Sequence, residues 1–271
     1  MQTLPLALTI AGSEATGGAG AQADLRTFQE HGVFGCVALT CIVSFDPQDG
    51  WNHRFVPVEA GVIADQLEVI TSAYGPEQLD VVKLGMLGTP ATITTVAGVL
   101  RERRFGHVVL DPVLICKGQE PGAALDTDNA LQEHVLPLAT FVTPNHVEAL
   151  ALSGMDAIGT VEELTEAARR IHERSGAAVL AKGGVHLRTD RDLAVDVYVD
   201  ADRTEVLSAP RLGDGAQVAG AGCTLAAAVA ARLARGETPF DAARAAKEFV
   251  SRGIEARLSS SAPYDAVWQG A

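Results

Sequence analysis

Short runs of apolar, often β-branched residues alternate with helical patterns along most of this sequence. The first run, Leu6–Ile10, is followed by a glycine-rich turn and a helical pattern over residues 21–30. Later runs that predict strands lie at residues 37–43, 81–84, 107–110, 140–143 and 178–182. Helical patterns lie at residues 58–73, 93–101 and 160–175. Strands that alternate with helices predict a mostly parallel sheet with helices on both faces.

One stretch near the end departs from this alternation. Leu193–Tyr198 and Val206–Ala209 predict two strands around a polar turn, which is the pattern of an antiparallel hairpin at a sheet edge. Two helical patterns then close the chain, at residues 221–235 and 239–257. Because no linker, repeat or low-complexity segment interrupts the sequence, residues 1–271 are predicted to form a single three-layer α/β/α domain.

Charge and composition limit the partners of the chain. The net charge of −13 argues against a surface that binds nucleic acid or anionic membranes. No apolar run is long enough to cross a bilayer, and the apolar start lacks the basic residues of a secretion signal. The cysteines and histidines show no spacing typical of a metal site. We therefore expect a cytoplasmic protein with reduced thiols and no nucleic-acid or membrane partner.

Glycine-rich and polar clusters follow several of the predicted strands. These clusters lie at residues 12–20, 83–86, 111–118, 143–145 and 182–184. In a parallel sheet, ligands bind at the carboxyl ends of the strands. Ordinary turn chemistry explains any single cluster equally well. Their joint placement favours a ligand site at this edge.

The turn Gly220-Ala221-Gly222-Cys223 opens an alanine-rich helical pattern. Its glycines allow backbone N–H groups to converge on one point, and a helix N-terminus adds unsatisfied donors and a positive dipole end. Such a turn binds phosphate and stabilises a phosphoryl group in transfer. A helix N-terminus also lowers the pKa of a thiol, so Cys223 is a candidate base. A packing turn with an inert cysteine is the alternative.

Several motifs occur in a fixed order along the chain. AGSEATGGAGAQADL at residues 11–25 is followed by KLGML at 83–87, DPV at 111–113, TPNHVEA at 143–149, KGG at 182–184 and GAGCT at 220–224. In these motifs the sequence resembles the ribokinase-like vitamin kinases, the hydroxymethylpyrimidine (phosphate) kinases and the related pyridoxal kinases. The resemblance implies the ribokinase-like fold. Glu14 departs from the pattern, because the family usually has Asp there.

The resemblance implies an ATP-dependent kinase that uses Mg²⁺ and acts on a hydroxymethyl group of a heteroaromatic ring. It implies that Cys223 is the catalytic base and that Gly220, Ala221 and Gly222 form the anion hole. Asn145 and Glu148 are implied to hold Mg²⁺ and the ATP phosphates, with Glu148 as the metal ligand. The residues implied to line the nucleotide site are Lys182, Gly183, Gly184, Asp196, Gly222 and Lys247. Those expected on the substrate side are Ser13, Gly18, Phe45, Met86 and Val113.

The substrate is predicted from two further segments. CIVSFDP at residues 41–47 stands where hydroxymethylpyrimidine kinases carry Ala-Gln-Asn, and it resembles the dual-cysteine pyridoxal kinases. That subgroup also shares DPVLICKG at residues 111–118. The resemblance implies that Cys116, a lid cysteine, captures the pyridoxal aldehyde as a hemithioacetal beside Cys223. Residues 117–124, which directly follow it, are predicted to form the mobile flap that a lid needs. A buried thiol at a strand end is the alternative for Cys116, and Phe45 either stacks on the substrate ring or packs internally.

Four functions are weighed on this basis. The favoured one is a kinase for pyridoxal, and for the related vitamers pyridoxine and pyridoxamine, that forms a homodimer as the resemblance implies. The second is the hydroxymethylpyrimidine kinase of thiamine synthesis, alone or as a dual activity. A non-catalytic vitamin sensor would need a degraded anion hole or base. A dinucleotide-binding reductase would need a GxGxxG turn followed by an acidic residue, and the sequence lacks it.

Overall fold

The computed structural model describes residues 4–114, 121–184, 187, 189, 192–212 and 218–271. The strands are β1 (Leu6–Glu14), β2 (Phe34–Asp46), β3 (Asn52–Pro57), β4 (Val81–Leu84), β5 (His107–Leu110), β6 (Phe141–Val142), β7 (Ala178–Lys182), β8 (Leu193–Val199), β9 (Thr204–Pro210), β10 (Val218–Ala219) and β11 (Asp265–Ala266). The helices are α1 (Gly20–Glu30), α2 (Ala60–Ala73), α3 (Pro90–Arg103), α4 (Pro121–His134), α5 (His146–Ser153), α6 (Val161–Ser175), α7 (Ala221–Ala234) and α8 (Pro239–Glu255).

The main sheet has 9 strands in the order β3-β2-β1-β4-β5-β6-β7-β8-β9. Strands β2, β1, β4, β5, β6 and β7, which are neighbours in this order, run parallel. Strands β8 and β9 form an antiparallel hairpin at one edge. The predicted fold class is therefore confirmed, including the edge hairpin. The antiparallel strand β3 at the other edge was not predicted.

Helices α4 and α5 also differ from the predictions. A mobile flap was expected over residues 117–124, but α4 begins at Pro121, where proline suits the first turn of a helix. Residues 115–120, including Cys116, lie outside the described residues. Helix α5, which follows the polar cluster at residues 143–145, was not predicted. It begins with a capping box in which Asn145 and Glu148 satisfy each other's backbone N–H groups.

Helices cover both faces of the sheet, each face with its own apolar cluster. Alternate residues of β1 point to opposite sides, so that Leu8 and Ile10 pack under α2 and α3 while Ala7 packs under α1 and α7. Helix α7 is buried along almost its whole length, and its alanines allow close packing against the sheet, α1 and α8. Within the described part of the chain, no helix is long and apolar enough to span a membrane.

Candidate active site

The loop after β1 is organised by the side chain of Glu14, which is only 6% exposed. Its carboxylate accepts hydrogen bonds from the N–H groups of Thr16 (2.7 Å), Gly18 (2.9 Å) and Ala19 (3.2 Å), and from the Thr16 hydroxyl (2.8 Å). Ser13 at the end of β1 accepts a hydrogen bond of 2.7 Å from Gln22. Glu14 thereby fixes the predicted substrate-side loop that contains Gly18. Sequence reasoning noted Glu14 as a departure but gave it no role.

The predicted anion hole lies directly against this loop. Gly220 caps the N-terminus of α7 with a φ of 80°, and a Cβ at this position would overlap the carbonyl oxygen of Gly18. Gly20, with a φ of 63°, approaches the Gly12 carbonyl oxygen in the same way. Glycine is required at both positions by conformation and by space. The N-termini of α1 and α7 therefore meet at the carboxyl end of β1.

Cys223 lies where the two helix N-termini meet, and the backbone N–H of Gly20 hydrogen-bonds to its sulfur. The expectation of a lowered thiol pKa is wrong for this structure. Burial raises the pKa of Cys223 to about 11, and the carboxylates of Asp24 and Asp111 add to the increase. Lys83 and the Gly20 N–H oppose this shift without overcoming it. The thiol is therefore protonated at neutral pH in the free protein.

A buried ion pair that sequence reasoning did not assign lies beneath Cys223. The Lys83 ammonium is 2.8 Å from a carboxylate oxygen of Asp24, and both side chains are 0% exposed. The Thr9 hydroxyl donates a second bond of 2.6 Å to the same oxygen. Burial raises the pKa of Asp24. Burial alone would lower the pKa of Lys83, but the Asp24 carboxylate reverses that shift and raises it.

A second lysine, Lys182 of the predicted nucleotide site, lies beside the Gly220–Gly222 turn. Lys182 ends β7, and its ammonium is 3.2 Å from a carboxylate oxygen of Asp111, which follows β5. A Cβ placed on Gly222 would stand 3.4 Å from the Lys182 ammonium and 3.6 Å from Asp111. The structure thus brings Lys182 to the turn that carries Cys223. The DPV motif marked Asp111 without giving it a role.

Glu148 lies on the same side of the site. Its carboxylate accepts a bond of 2.7 Å from the Asn145 N–H, and the Asn145 side chain accepts one of 2.9 Å from the Glu148 N–H. Burial raises the pKa of Glu148 to about 7; Lys182 opposes the increase, and Asp111 and Asp128 add to it. Within the described residues no cluster of three or more His, Cys, Asp or Glu side chains is arranged to hold a metal.

This donor set suits Mg²⁺, which proteins usually bind through one or two carboxylates together with substrate phosphates and water. Glu148 and Asp111 offer carboxylate oxygens, and the negative charges of Asp111 and Asp128 raise the Glu148 pKa while Lys182 opposes them. A divalent cation would relieve the excess negative charge there. The predicted metal ligand therefore fits the group that the fold family implies.

The outer part of the predicted nucleotide site is held by Asp196. One of its carboxylate oxygens is 2.7 Å from the Lys247 ammonium, and the other accepts a bond of 3.2 Å from the Gly183 N–H. Gly183 has no room for a side chain, because a Cβ there would meet the Val195 carbonyl oxygen. Gly184, with a φ of 58°, faces open space. The backbone after β7 is therefore fixed between β8 and α8.

The remaining predicted substrate residues contact other parts of the molecule. The ring of Phe45 lies 5.4 Å from those of both His53 and Tyr264. The Met86 carbonyl oxygen accepts a hydrogen bond of 2.6 Å from the Thr40 hydroxyl, and the Met86 sulfur is 3.7 Å from the Cys41 sulfur. Val113 follows Asp111 and is half-buried. Phe45 therefore packs against other side chains of the protein, and it is half-buried.

A groove of about 1020 Å³ opens at the opposite edge of the sheet, where β1, β4 and β5 begin. Its walls include Leu6, Phe34, Tyr74, Val81 and His107. None of the predicted site residues lines it. Its size therefore does not make it the catalytic site, which is defined by the charged groups around α7.

The sheet, the glycine turn at the N-terminus of α7 and the cysteine beside it are features of an α/β small-molecule kinase. The chain belongs to the phosphomethylpyrimidine kinase family, whose model matches residues 14–267. It is 45% identical over 249 residues to the pyridoxine kinase of Bacillus subtilis, covering 92% of this chain and 90% of that protein. It is 36% identical over 260 residues to the hydroxymethylpyrimidine/phosphomethylpyrimidine kinase of Haemophilus influenzae, covering 96% and 94%.

Solved structures give the same result. The ADP complex of Bacillus subtilis pyridoxal kinase matches with a TM-score of 0.91 and 42% identity, over 99% of this chain and 98% of that one. Staphylococcus aureus pyridoxal kinase in complex with AMP-PCP and pyridoxal matches with a TM-score of 0.90 and 37% identity, over 100% and 95%. The predicted family and fold are thus confirmed.

Proposed function

We propose that this enzyme transfers the terminal phosphoryl group of ATP to the 5′-hydroxymethyl group of pyridoxal, and of pyridoxine or pyridoxamine, in vitamin B6 salvage. The observation that carries the proposal is the position of Cys223 between two helix N-termini, next to the Gly220–Gly222 turn and Lys182. Donors that converge on one point suit the charge that develops during phosphoryl transfer. The relatives named as pyridoxine and pyridoxal kinases support the choice of substrate.

The residues of the site have different proposed roles in the reaction. The N–H groups of the Gly220–Gly222 turn and the Lys182 ammonium bind the transferred phosphoryl group. Cys223 takes the proton of the attacking hydroxyl, which requires that its pKa fall when the site is filled. Lys83 and the Gly20 N–H are the groups of the chain that favour the thiolate. Cys116, which lies outside the described residues, stays the proposed partner of the pyridoxal aldehyde.

Mg²⁺ would bind at Glu148, with Asp111 as the second available carboxylate. When bound, the ion neutralises phosphate charge during transfer. The chain itself supplies the capping box that orients Glu148 and the Asp111 contact that keeps Lys182 at the turn. Lys247 and Asp196 would fix the loop at Gly183 on the nucleotide side.

The hydroxymethylpyrimidine kinase is the second candidate, because the family model and relatives at 36–39% identity carry that activity in their names. A coupled assay of ADP release with pyridoxal, pyridoxine and hydroxymethylpyrimidine at matched concentrations separates the two. We expect the highest kcat/KM with pyridoxal. Turnover of the pyrimidine without turnover of any B6 vitamer would refute the proposal.

Cys223→Ala tests the base. We expect kcat to fall by at least about 10²-fold, since a positioned acid or base contributes 10²–10⁴-fold, while the affinity for ATP stays near that of the wild type. Cys36→Ala is the matched control, because Cys36 is a buried thiol in the core under α2 and α3. A Cys223→Ala enzyme with wild-type kcat would remove the cysteine from the mechanism.

We further propose a cytoplasmic, single-domain homodimer. Apolar side chains are exposed on neighbouring elements at one end of the sheet: Ile42 on β2, Val56 opposite it on β3, and Val62 and Val69 on α2. Exposed apolar surface of this kind marks protein interfaces. Light scattering after size exclusion should give twice the chain mass, and Val56→Asp should give the single mass. A monomeric wild-type protein at micromolar concentration would contradict this proposal.

A further inference from the structure

The last residues of the chain cross the catalytic edge of the molecule. Residues 264–269, here called the C-terminal strap, include β11, which pairs in parallel with β10 directly before the Gly220 turn. The Val267 N–H also donates a bond of 3.2 Å to the Ala219 carbonyl oxygen. The strap is therefore attached to the segment that leads into the anion hole.

The strap also contacts the loop after β1. A Cβ placed on Gly18 would stand 3.4 Å from the Cβ of Ala266 and 3.5 Å from that of Ala219, so loop, strap and turn are in close contact. At the start of the strap, the ring of Tyr264 packs on Phe45 at 5.4 Å. The strap thus touches both segments that surround the catalytic cysteine.

Gln269 makes the most specific of these connections, and it is only 1% exposed. Its amide nitrogen donates a bond of 3.0 Å to the hydroxyl of Thr224, the residue after Cys223. Its amide oxygen accepts a bond of 2.9 Å from the Nε of Arg26 in α1. Because Arg can only donate, the amide has one possible orientation. Arg26 also donates to the carbonyl oxygen of Gly17 in the loop after β1.

The strap has anchors that do not involve Gln269. The Trp268 N–H donates a bond of 3.1 Å to the Gly253 carbonyl oxygen of α8. Arg257 forms an ion pair of 2.9 Å with Asp265, and Leu258 pairs with Ala266. A change in the Gln269 side chain therefore removes this hydrogen-bonded bridge between α1 and α7, which also pack directly on each other, without releasing the strap.

We propose that Gln269 is a positioning residue for phosphoryl transfer, an inference that rests on the proposed function. By joining Thr224 of α7 to Arg26 of α1, it sets the separation of the two helix N-termini that meet at the Cys223 sulfur. That separation decides whether the Gly20 N–H and the N–H groups of the Gly220–Gly222 turn are directed at the same point. Misplacement of reacting groups by about 1 Å costs about 10²-fold in rate.

The test compares Gln269→Leu with Gln269→Glu and with a control, Gln66→Leu. Leucine keeps the volume of Gln269 and removes both hydrogen bonds. Glutamate still accepts from Arg26 and can accept from the Thr224 hydroxyl, so it should retain the link. Gln66 is a matched control, because its amide bridges α2 to the Leu39 backbone of β2 through bonds of 2.9 and 3.2 Å, away from Cys223.

We expect Gln269→Leu to lower kcat about 10- to 100-fold, with KM for ATP and pyridoxal changed less than about threefold. Gln269→Glu should recover most of the kcat. Gln66→Leu should keep the wild-type kcat even if it lowers the melting temperature as much as Gln269→Leu does. Iodoacetamide should alkylate Cys223 in the ligand-free Gln269→Leu variant at least about threefold faster, measured on the Cys223 peptide by mass spectrometry, because the half-buried thiol is held less tightly between the two helix N-termini.

Three results would overturn the inference: wild-type kcat in Gln269→Leu, an equal loss of kcat in Gln66→Leu, or alkylation of Cys223 at the wild-type rate. The alkylation needs no substrate, so it separates this inference from the proposed function. If the wild-type protein phosphorylates no vitamer, the proposed function fails. Faster alkylation in Gln269→Leu would then still support the positioning of the thiol by Gln269.

Discussion

Two lysine–aspartate pairs lie near the catalytic turn, and they differ in their access to solvent. Lys83 and Asp24 are 2.8 Å apart with both side chains 0% exposed. Lys182 and Asp111 are 3.2 Å apart, with side chains 15% and 5% exposed. The first pair cannot reach a ligand and acts as a fixed charge under Cys223. In the proposed function, the second exchanges its internal contact for a phosphate, so we expect the first pair to act on stability and the second on binding.

Lys83→Met breaks the buried pair and should have the largest effect on stability. It leaves the Asp24 carboxylate without its ammonium in a site that solvent does not reach, which costs about 3–5 kcal/mol. Urea unfolding followed by circular dichroism measures the loss. The double variant Lys83→Met/Asp24→Leu should be more stable than Lys83→Met, because it removes the orphaned charge. Equal midpoints for wild type and Lys83→Met would show that the pair contributes nothing.

Lys182→Met breaks the partly exposed pair and should act mainly on catalysis. We expect kcat/KM to fall by about 10²–10³-fold, as for the loss of one donor to a transition-state anion. The loss of stability should be smaller than for Lys83→Met, since solvent reaches Lys182. Lys182→Arg keeps the charge and serves as the control. A large loss of stability with unchanged kcat/KM would mean that Lys182 is a scaffold residue like Lys83.

The two pairs also differ in their neighbours, because the Glu148 carboxylate interacts with Lys182 and Asp111 of the second pair. Its pKa rises from its usual 4.5 to about 7, so the folded state keeps a proton that the unfolded state releases. The folded state therefore loses stability as pH rises between these values, by at most about 1.4 kcal/mol per pH unit. Glu148→Gln should remove this part of the slope. Asp128, whose pKa burial raises to about 6, contributes in the same direction, so Asp128→Asn should reduce the slope as well. An unchanged slope in Glu148→Gln would contradict the shift.

The comparison also explains what the sequence could predict. Turn chemistry and strand pattern are local, so the motifs marked the Gly220 turn and Lys182, and the structure brings both to the carboxyl end of the parallel strands. The Lys83–Asp24 pair joins residues 59 positions apart, and Gln269 reaches Thr224 over 45 positions. Neither contact can be predicted from a local sequence pattern. The prediction for the Cys223 pKa was wrong for the same reason, because the helix N-terminus is local whereas the burial that raises the pKa comes from tertiary packing and the added carboxylates come from α1 and the segment after β5.

Breaking a surface ion pair should have the smallest effect on the free energy of unfolding. Arg170 and Glu166 lie one turn apart on α6 at 2.8 Å, with side chains 47% and 45% exposed. Because water screens both charges and holding them together costs side-chain entropy, Arg170→Gln should lower the free energy of unfolding by only about 0.3–0.5 kcal/mol. Urea unfolding in low salt and in 1 M NaCl measures it, and the difference should vanish in high salt. A loss close to that of Lys83→Met would mean that burial does not set the strength of these pairs.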